Sequence, residues 1–325
     1  MTWKPIAIAL VALAVAIALI LHFGAQSVGS AIASAGWSGL AGLCLVHCGA
    51  LLFRGLAWHQ VLTPPIKHGR RVCIWACCIR DGFNNVIGII PATGEFAAAR
   101  ELTLRGAKPV VAAASAIADL TAELLSQILF TCLGLASLLV RGADANVTIW
   151  LGSGIAIGAV LLGALLLAQR RGVFKLIGTV PERLGFAEKW AAFSDGQKLH
   201  DSVAAIYANP WRLPASIALH LSAWFFVAAE AWLALHLMGR DVSFQDALAL
   251  ESLVYAARSA AFFVPWAAGV QEGGYVFVGA LIGLPPSEAL ALSVLKRARE
   301  FGLGTPALLA WQLAESRQMA RRHSS

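Results

Sequence analysis

Runs of apolar residues long enough to cross a bilayer recur along this chain, at 5–23, 37–59, 109–140, 147–168 and 212–237, with a charge-bearing run at 287–313. A helix of about 20 residues covers the roughly 30 Å hydrocarbon core. Hydrophobic residues make up 58% of the 325 and charged residues 13%, with mean hydropathy +0.71. Soluble domains carry about 25% charged residues. A chain this apolar cannot cover itself with polar surface, so lipid must be its solvent over most of its area. The expected fold class is an all-α polytopic membrane protein.

The basic residues orient it. If the chain starts inside and spans at the six runs, inside loops and tails hold 17 of the 25 Lys and Arg. Outside loops hold Arg141 and Arg240, and the other six lie within apolar runs. Basic residues concentrate on the cytoplasmic side of membrane proteins, so both termini are placed in the cytoplasm. The net charge of +7 then reads as cytoplasmic loops, with attraction to anionic lipid second and no nucleic-acid partner. Residues 5–23 read as a retained first span, although Ala31-Ile32-Ala33 resembles a cleavage site. The six cysteines all lie in apolar segments and read as small packing residues.

Two segments break the pattern. Residues 74–92 are apolar but hold Arg80, Asp81, Asn84 and Asn85, then Gly88 and Pro91; residues 93–108 are amphipathic and end in Arg100, Arg105 and Lys108. The basic bias holds if 74–92 enters the membrane and 93–105 returns. We expect a re-entrant hairpin broken near Gly88–Gly94, or two full crossings, which the count does not separate. That makes six spans with two broken hairpins, or eight spans. Irregular backbone at that depth must be buried in protein or line a wet cavity.

Residues 265–286 repeat the feature. Glu95 precedes Gly106 by 11 residues, and Glu272 precedes Gly283 by 11. Pro109 or Pro286 follows, then Ser115, Asp119 and Glu123 against Ser293, Arg297 and Glu300. Three spans lie between the copies, so the second is inverted. Residues 37–168 form one repeat half, 170–211 an amphipathic cytoplasmic loop, and 212–313 the other half of a single transmembrane domain. Inverted repeats with broken helices at mid-membrane are a plan of secondary transporters.

Charged residues inside apolar runs usually mark a partner, cavity or pathway. Four groups qualify. Ser115, Asp119, Glu123 and Gln127 recur every four residues, on one helix face. Lys296, Arg297, Arg299 and Glu300 follow Ser293. Glu251, Tyr255 and Arg258 share a face, and Arg80, Asp81, Asn84 and Asn85 complete the set. The plain alternative for each is an interhelical ion pair. His47, His220 and His236 read as hydrogen-bonded packing residues.

At the breaks, Thr93 is expected to cap a half-helix starting near Glu95, and Gly269 to open another. Free N–H groups there would suit an anionic head group; the alternative is that Glu95 and Glu272 merely complement the helix ends. No P-loop, H-E-x-x-H, G-x-S-x-G or dinucleotide fingerprint is present. Neither enzymatic activity nor a metal or cofactor is expected.

The stretches N-N-V-I-G-I-I-P-A-T-G-E-F-A-A-A-R-E-L-T-L-R-G (84–106), A-A-A-S-A-I-A-D-L-T-A-E-L-L-S-Q (112–127) and G-V-Q-E-G-G-Y-V-F-V-G-A-L-I-G-L-P-P (269–286) resemble the flippase-like membrane family. That family is related to the transmembrane region of lysylphosphatidylglycerol synthases. V-Q-E-G-G-Y with L-K-R-A-R-E (295–300) looks most like its hopanoid-biosynthesis-associated branch. The resemblance covers nearly the whole chain and implies a bacterial inner-membrane protein that moves lipid between leaflets. Its cargo would be a hopanoid or an anionic lipid, and hopanoid-synthesis enzymes are possible partners. The family motif falls on Gly94 and Glu95, with Arg100 following, and on Gln271, Glu272 and Gly273. Together with Asn84, Asn85, Asp119, Glu123, Arg258, Lys296, Arg297 and Glu300 these are the expected lipid-binding residues. An intramembrane lipid-modifying enzyme and a scaffold for hopanoid synthesis are the competing expectations.

Overall fold

The computed structural model describes residues 25–88, 92–140, 145–170, 196–262 and 264–323. Every regular element among them is helical: α1 (Ala25–Val61), α2 (Gly69–Gly82), α3 (Thr93–Leu104), α4 (Pro109–Val140), α5 (Ala145–Arg170), α6 (Gly196–Tyr207), α7 (Arg212–Leu237), α8 (Phe244–Ala260), α9 (Val270–Leu281) and α10 (Pro286–His323). The first apolar run, Pro91 and most of the 170–211 loop lie outside the described residues.

Within the described residues three helical stretches have the length and hydropathy to cross a membrane: Ile32–Val61, Pro109–Val140 and Arg212–Leu237. At 1.5 Å rise per residue they outrun a roughly 30 Å core. The chain is a multi-pass helical membrane protein.

Local chemistry sets the helix ends. Pro109 and Pro286 open α4 and α10, where proline's fixed φ and missing N–H cost nothing. Ser243 starts α8 with a reciprocal cap. Its hydroxyl accepts from the Asp246 N–H at 3.2 Å, and its own N–H donates to Asp246 Oδ2 at 3.2 Å.

Both expected breaks are present. After α2 the backbone widens into a π-helical turn, Phe83–Ile87, closed by Gly88 at φ 39. The half-helix after it starts at Thr93 itself, so Thr93 is the first helical residue and not a cap for a helix starting near Glu95. After α8 the chain passes through a short 3-10 turn, Pro265–Ala267, with Trp266 at φ 55 and Ala267 at φ 46. Gly269 at φ 77 then opens α9. Positive φ at two consecutive non-glycine residues is uncommon and persists only where the surroundings impose it.

Two compact units interleave along the chain. One comprises Met1–Cys48, Cys77–Ala97 and Val227–Ser325; the other comprises Gly49–Ala76 and Ala98–Phe226. In the first, α9 packs against α8 and α10, and α10 packs on the π-helical turn. In the second, α4 packs against α5 and α6. There α6 buries Leu199, Val203 and Ile206, spaced as one helical face. Phe130 stacks on Trp224 with ring centroids 5.5 Å apart.

Candidate functional site

The two breaks meet inside the first unit. The Trp266 indole N–H donates to the Val86 carbonyl at 3.4 Å, a group of the widened turn. A Cβ on Gly88 would lie 2.6 Å from the Trp266 ring, so only glycine allows this approach. Asn84 closes the first hairpin. Its amide oxygen accepts from the Gly94 N–H at 3.2 Å, and its amide nitrogen donates to Glu95 Oε1 at 3.1 Å. Gly94 has no room for a side chain either, because a Cβ would sit 2.4 Å from Asn84 Oδ1. Asn85 is half-buried in the same turn. Gly82 and Gly304 bring α2 and α10 together, since a Cβ on Gly304 would meet the Gly82 Cα at 3.1 Å.

The second half-helix differs from expectation. The Gly269 N–H, read from sequence as open to an anionic head group, donates to Glu272 Oε2 at 2.7 Å. Glu272 therefore caps its own helix, as the alternative reading had it. Its other oxygen accepts from the Ser293 hydroxyl at 3.1 Å and from Arg297 Nε at 3.0 Å. Gln271 donates to the Ser293 hydroxyl at 2.9 Å. What remains buried without a partner here is Gln271 Oε1 and Arg297 Nη2.

Deeper in the same unit lies a continuous network. Lys296 Nζ donates to Glu251 Oε2 at 2.6 Å, and the Tyr275 hydroxyl donates to Oε1 at 2.7 Å. Lys296 and Glu251 are fully buried. Arg299 Nε donates to Glu230 Oε1 at 2.9 Å, and His47 Nδ1 lies 3.0 Å from Glu230 Oε2. Arg258 pairs with Glu300 at 3.4 Å and lies over the Tyr255 ring, 4.9 Å from its centroid. Lys296 approaches the same ring at 5.7 Å. Several kcal/mol per ion is the cost of taking such charges out of water, offset only when partners are close and hydrogen-bonded. Here each carboxylate has such partners.

Sequence reasoning missed Glu230 and Tyr275 as members of this network. Glu230 is a lone acid in an otherwise apolar run, and that isolation was the available signal. His47, read as a hydrogen-bonded packing residue, is hydrogen-bonded, and its ring meets Glu230, Asp81 and Arg299.

The acidic stripe of α4 belongs to the second unit. Ser115 accepts from Trp58 at 3.1 Å, Asp119 pairs with His220 at 2.9 Å, and Glu123 pairs with Arg54 at 2.6 Å. Gln127 is buried and its carbonyl accepts from Thr131. Ser115, Asp119 and Glu123 thus tie α4 to α1 or α7, the plain ion-pair and hydrogen-bond role. Arg100 is exposed on α3. His236 donates to the Trp232 carbonyl of its own helix at 3.0 Å. All six cysteines are free.

The structure thus gathers Glu272, Gln271, Arg297, Lys296, Glu300 and Arg258 with Asn84, Gly94 and Glu95 in one unit, and Asp119, Glu123 and Arg100 in the other. No curated protein and no solved structure matches the chain. A family model, the lysylphosphatidylglycerol synthase TM region, matches residues 6–307. With its broken hairpins and buried charges, the chain belongs to the lysylphosphatidylglycerol synthase TM-region family.

Proposed function

We propose that this protein translocates lipid between the leaflets of the bacterial inner membrane, with a hopanoid or a related lipid as cargo and both termini in the cytoplasm. The observation that carries the reading is the meeting of two broken helices, Trp266 against Val86 and Gly88, beside a strip of polar and charged side chains within an apolar frame. A rigid triterpenoid body needs only lipid around it. Its polar head needs partners at mid-depth, where bare hydrocarbon offers none. Gln271 Oε1 and Arg297 Nη2, buried without a hydrogen-bond partner, supply an acceptor and a donor there, with half-buried Asn84 and Arg258 nearby at the breaks. Nothing in the sequence resembles an ATP site, so the lipid's own gradient or an ion gradient is the drive.

The hopanoid assignment rests on the V-Q-E-G-G-Y and L-K-R-A-R-E wording; the lipid setting rests on the family. A deletion strain tests the reading. Normal lipid species retained in the inner membrane are expected. Loss of one hopanoid species, with the remainder normally distributed, would replace the translocator by a head-group enzyme.

A further inference from the structure

The second unit carries a groove of about 380 Å³ between the end of α1 and the start of α7. Small-molecule sites run from about 300 to 1,000 Å³. His59, Leu62, Pro65, Asn209, Trp211 and Arg212 line it. Both α1 and α7 contain a stretch long and apolar enough to cross a membrane, ending at Val61 and beginning at Arg212. The groove therefore sits where both helices leave the hydrocarbon. Arg212 joins them, its Nη1 donating to the Gln60 carbonyl at 3.5 Å. Trp211 stands 78% exposed at the rim, and tryptophan is enriched where protein meets the membrane–water interface.

The groove is basic. Residues 57–72 and 202–216 contain no acid, yet they hold His59, Lys67, Arg70, Arg71 and Arg212. The start of α2 lies against the groove, since a Cβ on Gly69 would sit 3.1 Å from the His59 ring. Arg70 is near enough for its charge to act on that ring. Among the described residues none of these five side chains pairs with a carboxylate. Lys67, Arg70 and Arg71 are exposed, as the loop charges that orient a membrane protein are. Arg212 is of another kind. It is half-buried, and its one side-chain hydrogen bond among the described residues runs to a backbone carbonyl. The helix ends add to the imbalance. A helix N-terminus carries partial positive charge and favours acids over bases. Here α2 opens with Arg70 and Arg71 and α7 with Arg212, and neither first turn holds an acid. An anion in the groove relieves this repulsion.

We propose that this groove binds the head group of an anionic phospholipid, at a site separate from any lipid the protein carries across. Arg212 takes the phosphate, a group whose oxygens suit the guanidinium fork. Asn209 offers hydrogen bonds to the rest of the head group, and Arg70 adds attraction from the start of α2. Leu62, Pro65 and Trp211 give the groove an apolar wall for the first part of the acyl chains. A free phosphate would leave that wall unused, which is why the lipid is the occupant. Basic pockets between membrane helices on the cytoplasmic side recognise anionic head groups, and the topology expected from the basic residues puts this end in the cytoplasm. The site stands whether or not the protein moves lipid.

Mass spectrometry of the detergent-solubilised full chain, which resolves lipid-bound from lipid-free protein, tests it. Titrations compare phosphatidylglycerol with phosphatidylcholine of the same acyl chains. One cation beside an anionic head group contributes roughly fivefold in affinity, so the wild type should prefer phosphatidylglycerol by about tenfold or more. R212Q should lose about fivefold of that affinity. R70Q removes an exposed side chain, should lose a similar factor, and decides the matter if R212Q does not fold. K108Q removes an exposed charge of the same unit outside the groove and should change the affinity by less than about twofold. Equal affinity of the wild type for the two lipids overturns the proposal. So does a loss in K108Q matching those in R212Q and R70Q, which would make the attraction a property of the whole basic surface. Glycerol phosphate should leave bound phosphatidylglycerol in place at equal concentration; displacement there would make the ligand a soluble phosphate and overturn the lipid site.

Discussion

Lys296→Met removes the cation bonded to Glu251 and leaves the shape of the stem nearly intact. Both groups are fully buried, 2.6 Å apart, and Lys296 also stands 4.0 Å from Glu230. Removing one partner of a buried ion pair costs about 3–5 kcal/mol, because a charge is left uncompensated. Domain stabilities are about 5–15 kcal/mol, so the single variant should lose a large part of its margin. Glu251→Gln in the same background removes that charge while keeping an acceptor for the Tyr275 hydroxyl. K296M/E251Q should therefore recover about 2 kcal/mol or more of the loss, a coupling that independent sites do not show. The assay is thermal unfolding of the detergent-solubilised protein, read by its 11 tryptophans. The reasoning fails if K296M costs less than about 1 kcal/mol, or if the second substitution simply adds its own loss.

Further variants probe the packing that positions the breaks. Gly94→Ala places a methyl 2.4 Å from Asn84 Oδ1 and 2.6 Å from the Arg80 carbonyl, and overpacking of this kind costs about 1–3 kcal/mol. A melting temperature equal to wild type would contradict it. Gly304→Leu should separate α2 from α10 and destabilise by a similar amount, whereas Gly302→Leu, open except for Cys44, should be tolerated; differential scanning fluorimetry compares the two. Tyr275→Phe takes one donor from a buried carboxylate and should cost about 1–3 kcal/mol, measured by the same unfolding curves. Trp58→Phe, in the second unit, takes the donor from Ser115 and removes part of a fully buried ring, a loss of about 1 kcal/mol or more, and should leave lipid transport unchanged.

Most of the architecture was written locally and so could be read from sequence. The apolar runs at 37–59, 109–140 and 212–237 became α1, α4 and α7 because hydropathy over some twenty residues decides whether a helix belongs in lipid. The breaks followed from Gly88 and from Pro265 with Gly269, whose backbone preferences act within a few residues. Partner choice was not local. Asp119 and Glu123 recur on one face, yet their partners His220 and Arg54 sit on other helices, 101 and 69 positions away. The His47–Glu230 contact joins residues 183 apart, and no periodicity announces it. Glu272 shows the same limit on a smaller scale. Its spacing to Gly269 fitted either an open or a self-capped helix start, and the geometry chose the second.

The central claim, that this chain moves lipid across the bilayer, is tested most directly with purified protein in sealed vesicles containing a labelled hopanoid. Transfer of the label from one leaflet to the other should be markedly faster with the protein than in protein-free vesicles of the same lipid. Equal rates in the two, for protein shown to be folded and inserted, would contradict the account.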